Sequence, residues 1–145
     1  MTEYYRVCIV DDDELSHQMY SVLFKSILNK QDVHIDIISC YNGKEFINMF
    51  HDMKNKDIFP HAMLIDYIMP EMDGLELLHN AAKENIGLPP VIFCTGHDFI
   101  DKDLCKDYSF MHDIKIKPFR DSELTELADV LLDALQNHGR RREPV

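Results

Sequence analysis

Residues 62–74 read AMLIDYIMPEMDG, and the parsing of this stretch decides the fold. Ala62-Met63-Leu64-Ile65 is a short, continuous apolar run bounded by polar residues. A run of that length suits a strand buried on both faces, because a strand with one wet face would alternate. The run ends on a carboxylate, Asp66. Asp73 then has the chemistry of a helix N-cap, opening an apolar stripe of Leu75, Leu78 and Ala82. A buried strand, an acid-bearing loop and an amphipathic helix together form the repeating unit of a parallel sheet with crossover helices.

The same unit recurs on either side. Val7-Cys8-Ile9-Val10 and Val91-Ile92-Phe93-Cys94 are further continuous apolar runs. Ile35-Asp36-Ile37, continuing to Ile38 and Ser39, and Ile114-Lys115-Ile116-Lys117 alternate instead, as strands at a sheet edge do. Helical periods fill the gaps. Leu15, Met19, Val22, Leu23 and Ile27 form one stripe. Phe46, Ile47 and Phe50 form another, opened by Asn42-Gly43-Lys44-Glu45 at capping-box spacing. Leu124, Leu127, Leu131, Ala134 and Leu135 form the last, after Asp121 and before Gly139. The segment Phe99 to Tyr108 carries the thinnest helical stripe, on Ile100, Leu104 and Cys105. The order is five βα units, which requires a mainly parallel α/β sheet with helices on both faces. With the edge-like strands second and fifth, the expected architecture is flavodoxin-like and doubly wound, a five-stranded (βα)5 sheet of order 2-1-3-4-5. Its switch point lies between the first and third strands. Residues 1–137 are expected to form this one domain and residues 138–145 a disordered C-terminal tail.

Composition narrows the function classes. The chain has 145 residues, 46% hydrophobic and 28% charged, as in a soluble globular domain. The formal charge of -11 repels a phosphate backbone, so no direct nucleic-acid binding is expected. No apolar run approaches the roughly 20 residues of a membrane span, and Met1-Thr2-Glu3 does not begin a secretory signal. Cys8, Cys40, Cys94 and Cys105 are scattered without a C-x-x-C pair. They read as free thiols in a reducing cytoplasm, the expected location. The eight histidines form no zinc pattern.

Ligands of an open α/β sheet bind at the carboxyl ends of its strands, at the switch point. The sequence places acid there: Asp11-Asp12-Asp13-Glu14 after the first strand, Asp66 after the third. Asp13 and Glu14 read as the opening of the first helix. The remaining carboxylates would repel one another unless a cation sat among them, and hard oxygen ligands suit Mg²⁺. The fourth strand ends in Cys94-Thr95-Gly96, a hydroxyl followed by a residue too small to block access. The fifth ends in Lys117-Pro118-Phe119, where Pro118 raises the chance of a cis peptide that aims Lys117 inward. A threonine at a strand end or a lysine on an edge strand means little alone. Together the parts describe phosphoryl transfer: Asp66 as nucleophile, a metal screening its charge, Thr95 and Lys117 holding the transferred oxygens.

Four motifs carry a resemblance along nearly the whole chain, from Tyr5 to about Asn137: Ile9-Val10-Asp11-Asp12-Asp13, Leu64 through Gly74, Thr95-Gly96, and Lys117-Pro118-Phe119. The chain resembles the response-regulator receiver family of two-component signalling, in its stand-alone form. That resemblance implies that Asp66 is the phosphoacceptor. It implies that Asp11, Asp12, Asp66 and the backbone carbonyl of Ile68 hold Mg²⁺. Thr95 would be the switch hydroxyl and Lys117 the phosphate-binding lysine. It further implies a phosphoprotein that is no enzyme beyond Mg-dependent self-phosphorylation and autodephosphorylation. The phosphoryl group would come from a histidine kinase or histidine phosphotransfer protein. A downstream protein target would dock on the face of the fourth helix, fifth strand and fifth helix. The chain would act as a monomer or a phosphorylation-dependent dimer.

There are departures. Three residues before the lysine the family usually carries Tyr or Phe; here the position is Ile114. The family's usual Gly-Ala pair before the fifth strand is missing, with Tyr108-Ser109-Phe110-Met111 in that region. The link Met53 to Phe59 is long and polar. His97, two residues beyond Thr95, stands where it would tune the lifetime of the phosphorylated form, or serve only as a solvated loop residue. Two alternatives stay open. One is the receiver part of a longer regulator, with Arg140-Arg141-Arg142 starting a linker to an output domain. The other is a receiver-like binding module that never turns over phosphate. A phosphohydrolase with an aspartyl-phosphate intermediate would need a second Asp where Ile68 stands.

Overall fold

The structure, a computed structural model, describes residues 2–56, 58–84, 86–96, 108, 110–116 and 121–138, the side chains of 116, 121 and 138 excepted. Five strands form one parallel sheet: β1 (Glu3–Val10), β2 (Val33–Cys40), β3 (Ala62–Asp66), β4 (Val91–Thr95) and β5 (Met111–Ile116). Their order is β2-β1-β3-β4-β5, the expected doubly wound arrangement with its switch point between β1 and β3. The helices are α1 (Glu14–Asn29), α2 (Gly43–Asn55), α3 (Gly74–Lys83) and α4 (Asp121–Asp133), the last running on into a π-helical stretch Ala134–His138. The helix expected over Phe99 to Tyr108 lies, but for Tyr108, outside the described residues. So do Cys105, His97, Lys117, Pro118 and all of the expected tail but His138. No helix among the described residues is long and apolar enough to cross a membrane.

Strands β1 to β4 behave as their patterns require; in β5 Ile114 and Lys115 are both half-buried, without the expected alternation. Val7–Val10, Ala62–Ile65 and Val91–Thr95 are buried throughout, since β1, β3 and β4 are covered on both faces. In edge strand β2, Val33 and Ile35 are buried while His34 and Asp36 are exposed. Two cores result. Val7, Ile9, Leu64, Ile92 and Cys94 pack against α1 and α4, contacting Tyr20, Phe24, Leu127 and Leu131. Cys8, Val10, Met63, Ile65 and Phe93 pack against α2 and α3, contacting Phe46, Phe50, Leu77 and Leu78. Cys8, Cys40 and Cys94 are buried free thiols.

Two helices turn a different face inward from the one their periods suggest. In α1 the buried residues are His17, Tyr20, Phe24 and Leu28, whereas Leu15 and Val22 are each 71% exposed. The helix is apolar over most of its circumference, so periodicity does not single out one stripe. The aromatic stripe removes more area from water, and Tyr20 and Phe24 stack with centroids 5.5 Å apart. In α3 the buried residues are Gly74, Leu77, Leu78 and Ala81, so Leu75 is only half-buried and Ala82 exposed. The α2 and α4 stripes face inward as read, with Met53 extending the former and Ala128 the latter.

The helix starts follow local chemistry. Asp13, Asn42 and Asp73 are the N-caps of α1, α2 and α3. Asn42 accepts from the Glu45 amide and Asp73 from the Glu76 amide, each at 2.8 Å. Such caps fix where each helix begins, and so where the preceding loop must carry its acid.

Candidate functional site

The acid-bearing loops converge as strand order dictates. Asp11 follows β1 directly and Asp66 ends β3, its immediate neighbour in the sheet. Asp11, Asp12 and Asp66 bring one carboxylate oxygen each to within 4.8 Å of one another, with Asp11 buried, Asp66 half-buried and Asp12 exposed. Charges about 5 Å apart repel by roughly 3 kcal/mol per pair at an effective dielectric near 20. Three oxygens so close are a donor set for a hard divalent cation.

The turn that presents Asp11 and Asp12 is held from several sides. The Asp11 amide donates to the Cys40 carbonyl at 3.0 Å, tying the ends of β1 and β2. The Asp11 carboxylate accepts from the Asp13 amide at 2.9 Å. Asp13 itself looks away, accepting from the Leu15 amide at 3.2 Å and the Ser16 hydroxyl at 3.1 Å. The backbone carbonyl of Asp11 meets Nε2 of His17 at 2.7 Å, and the other ring nitrogen lies 3.0 Å from the Ser39 hydroxyl. The Tyr41 ring covers His17 with centroids 4.4 Å apart. Scanning the sequence for metal patterns among histidines missed His17. The usable signal is its place one turn before Tyr20, on the stripe that continues to Phe24 and Leu28.

On the other flank, Thr95 is buried at the end of β4, and its neighbour Cys94 pairs with Asp66 across the sheet. Among the described residues, a Cβ built on Gly96 meets nothing within 4 Å. Thr95 pairs in turn with Ile116, the residue before Lys117. Ile68, at the rim of the acid cluster, is 47% exposed. Ile114 is half-buried on β5 and packs against the α2 and α3 side of the core. The outer edge of β5 is fastened to α4 by Lys115–Glu126 at 2.9 Å and His112–Asp133 at 3.2 Å.

The loop from Asp66 to α3 is built for close approach. Gly74 donates its amide to the Tyr67 carbonyl at 2.7 Å, and an added Cβ there would lie 2.7 Å from the Asp66 carbonyl oxygen. Only glycine lets α3 begin so near the strand end. Glu71 takes a left-handed φ of 69°, and the Met72 amide bonds the Pro70 carbonyl at 2.8 Å across it, which makes a tight three-residue turn. Met69 is thereby buried in the core, anchoring the loop below the acid cluster.

Comparison with known proteins agrees with this fold. A family model described as the response regulator receiver domain matches residues 7–129. The chain is 30% identical over 143 residues to the regulatory protein AtoC of Escherichia coli (strain K12), covering 99% of this chain and 28% of AtoC. It is 28% identical over 143 residues to protein-glutamate methylesterase/protein-glutamine glutaminase 2 of Koribacter versatilis (strain Ellin345), covering 96% of this chain and 36% of that protein. The chain thus spans well under half the length of either relative. Among solved structures, a two component response regulator from Cytophaga hutchinsonii superposes with a TM-score of 0.70 at 19% identity, covering 92% of this chain and 99% of that one. A CheY-like response regulator receiver domain protein from Methanospirillum hungatei JF-1 does so at 0.63 and 24%, covering 91% and 97%. At these identities the structural likenesses speak for the fold.

Proposed function

The chain belongs to the response regulator receiver domain family, and on that premise we propose that it is a phosphorylation-activated switch with Asp66 as phosphoacceptor. The observation that carries this reading is the meeting of the Asp11, Asp12 and Asp66 oxygens within 4.8 Å at the switch point. One Asp66 oxygen attacks the phosphorus of a phosphohistidine on a kinase or phosphotransfer protein. The new O–P bond forms as the P–N bond breaks, and the leaving nitrogen keeps the electron pair. Asp11, Asp12, Asp66 and the carbonyl of Ile68 are the residues that would hold Mg²⁺. When bound, the ion supplies charge neutralisation at the attacking and transferred oxygens. The Thr95 hydroxyl donates to a phosphoryl oxygen, and Lys117 pairs with another. Bonds available only in the phosphorylated state shift the domain toward the conformation that makes them. The altered face, around β5 and α4, then binds a downstream protein.

An acyl phosphate is a mixed anhydride, so hydroxylamine cleaves it while phosphoserine and phosphothreonine resist. Protein phosphorylated with acetyl phosphate is expected to lose its label to hydroxylamine, and Asp66→Asn to acquire none. Hydroxylamine-resistant label, or label retained in Asp66→Asn, would sink the assignment.

A second reading, the receiver part of a longer regulator, is favoured by relatives in which the matched region is only 28% and 36% of the protein. The length of the natural open reading frame decides it.

A further inference from the structure

We infer that His17 is a positioning residue for the metal-binding carboxylates, acting through the peptide that joins Asp11 to Asp12. The inference rests on the functional reading above and adds to it a residue outside the four receiver motifs. A backbone carbonyl can only accept, so the 2.7 Å contact with the Asp11 oxygen requires the proton on Nε2. The other ring nitrogen, Nδ1, lies 3.0 Å from the Ser39 hydroxyl, a group able to donate to it or accept from it. One imidazole therefore bridges the Asp11 carbonyl and the Ser39 hydroxyl.

The placement gives this bridge its consequence. The carbonyl it grips belongs to the peptide from which the Asp11 and Asp12 side chains project in succession. The amide on the other side of Asp11 is held by Cys40 at 3.0 Å, so the two bonds together fix the residue's orientation at the end of β1. His17 is only 4% exposed and lies under the Tyr41 ring, so water competes weakly for its bond to the Asp11 carbonyl. The Glu14 carboxylate at the start of α1 is the chief cause that raises the pKa of the Tyr41 phenol. The ring of His17 thus links α1, β2 and the acid-bearing turn. Partners that orient ligands from behind are worth about 10- to 100-fold in metal affinity at established sites.

The test measures Mg²⁺ affinity of wild type, His17→Leu and His17→Gln directly by amide NMR titration, which also checks folding, and acetyl-phosphate phosphorylation rate against Mg²⁺ concentration. Glutamine carries a donor and an acceptor at similar reach; leucine keeps the volume and loses both. In His17→Leu the half-saturating Mg²⁺ concentration should rise about tenfold while the rate at saturation changes by less than about twofold, and glutamine should restore most of the affinity. A folded His17→Leu protein with wild-type Mg²⁺ dependence overturns the inference and leaves the receiver reading intact. An equal loss in both variants overturns it too, since packing alone would then explain it. If His17→Leu does not fold, Ser39→Ala takes its place: about a threefold rise supports the bridge, and no change overturns it. A wild type that takes no phosphoryl group at any Mg²⁺ concentration overturns both readings.

Discussion

Tyr20 shows how far the acid cluster reaches at the scale of one residue. Its ring is buried in the core between α1 and the sheet, and its hydroxyl lies against the Cys94 thiol. Burial, then Cys94, then the Asp11 and Asp66 charges push the phenol well above its ordinary value. The unfolded chain ionises the same phenol near about pH 10. The folded state therefore holds its proton where the unfolded state has lost it. The contribution is fully present below about pH 10 and falls away as pH rises beyond it. Denaturant midpoints measured from pH 8 to pH 11 should fall steeply for wild type and less steeply for Tyr20→Phe. Parallel slopes would show that this phenol is not the group responsible. Tyr20 and His17 escape a reading of the sequence because burial is what gives them their roles, and burial depended on which face of α1 turned inward. Asp11, Asp12 and Asp66 were legible because a carboxylate directly after an apolar run stands at a strand's carboxyl end whatever the helices do.

Among the elements, the junction of β3 and α3 couples packing to chemistry most tightly. A methyl group on Gly74 would lie 2.7 Å from the Asp66 carbonyl oxygen, 2.9 Å from the Phe93 ring and 3.1 Å from the Tyr67 Cα. Two of those neighbours are backbone and cannot swing aside, so the start of α3 must move. Gly74→Ala should destabilise the fold by about 1–3 kcal/mol and slow phosphorylation of Asp66, measured by thermal melts and by acetyl-phosphate labelling. A melt and a rate equal to wild type would show that the loop relaxes freely. The strands and their order were legible because three continuous apolar runs and two alternating ones allow few arrangements of a parallel sheet. The inward faces of α1 and α3 were not. In α1 apolar residues lie nearly all round, and in α3 Leu75, Leu77 and Leu78 leave two stripes in competition, so the choice falls to packing against the sheet.

For the whole molecule, sheet order converts separated motifs into one site. Placing β1 beside β3 joins Asp11 and Asp12 to Asp66, and pairing β3 with β4 sets Cys94 opposite Asp66 and so brings Thr95, the next residue, to the same end of the sheet. The same cluster concentrates part of a net charge of -11 in a small volume. That arrangement makes sense if a cation completes it, so dependence on Mg²⁺ is the property to measure. The decisive measurement is the intact-protein mass after incubation with acetyl phosphate, with Mg²⁺ and with chelator, for wild type and Asp66→Asn. The account predicts the gain of one phosphoryl group by wild type with Mg²⁺ alone, and none in the variant. A folded wild type that gains no phosphoryl group with Mg²⁺, or gains it equally in chelator, would contradict it.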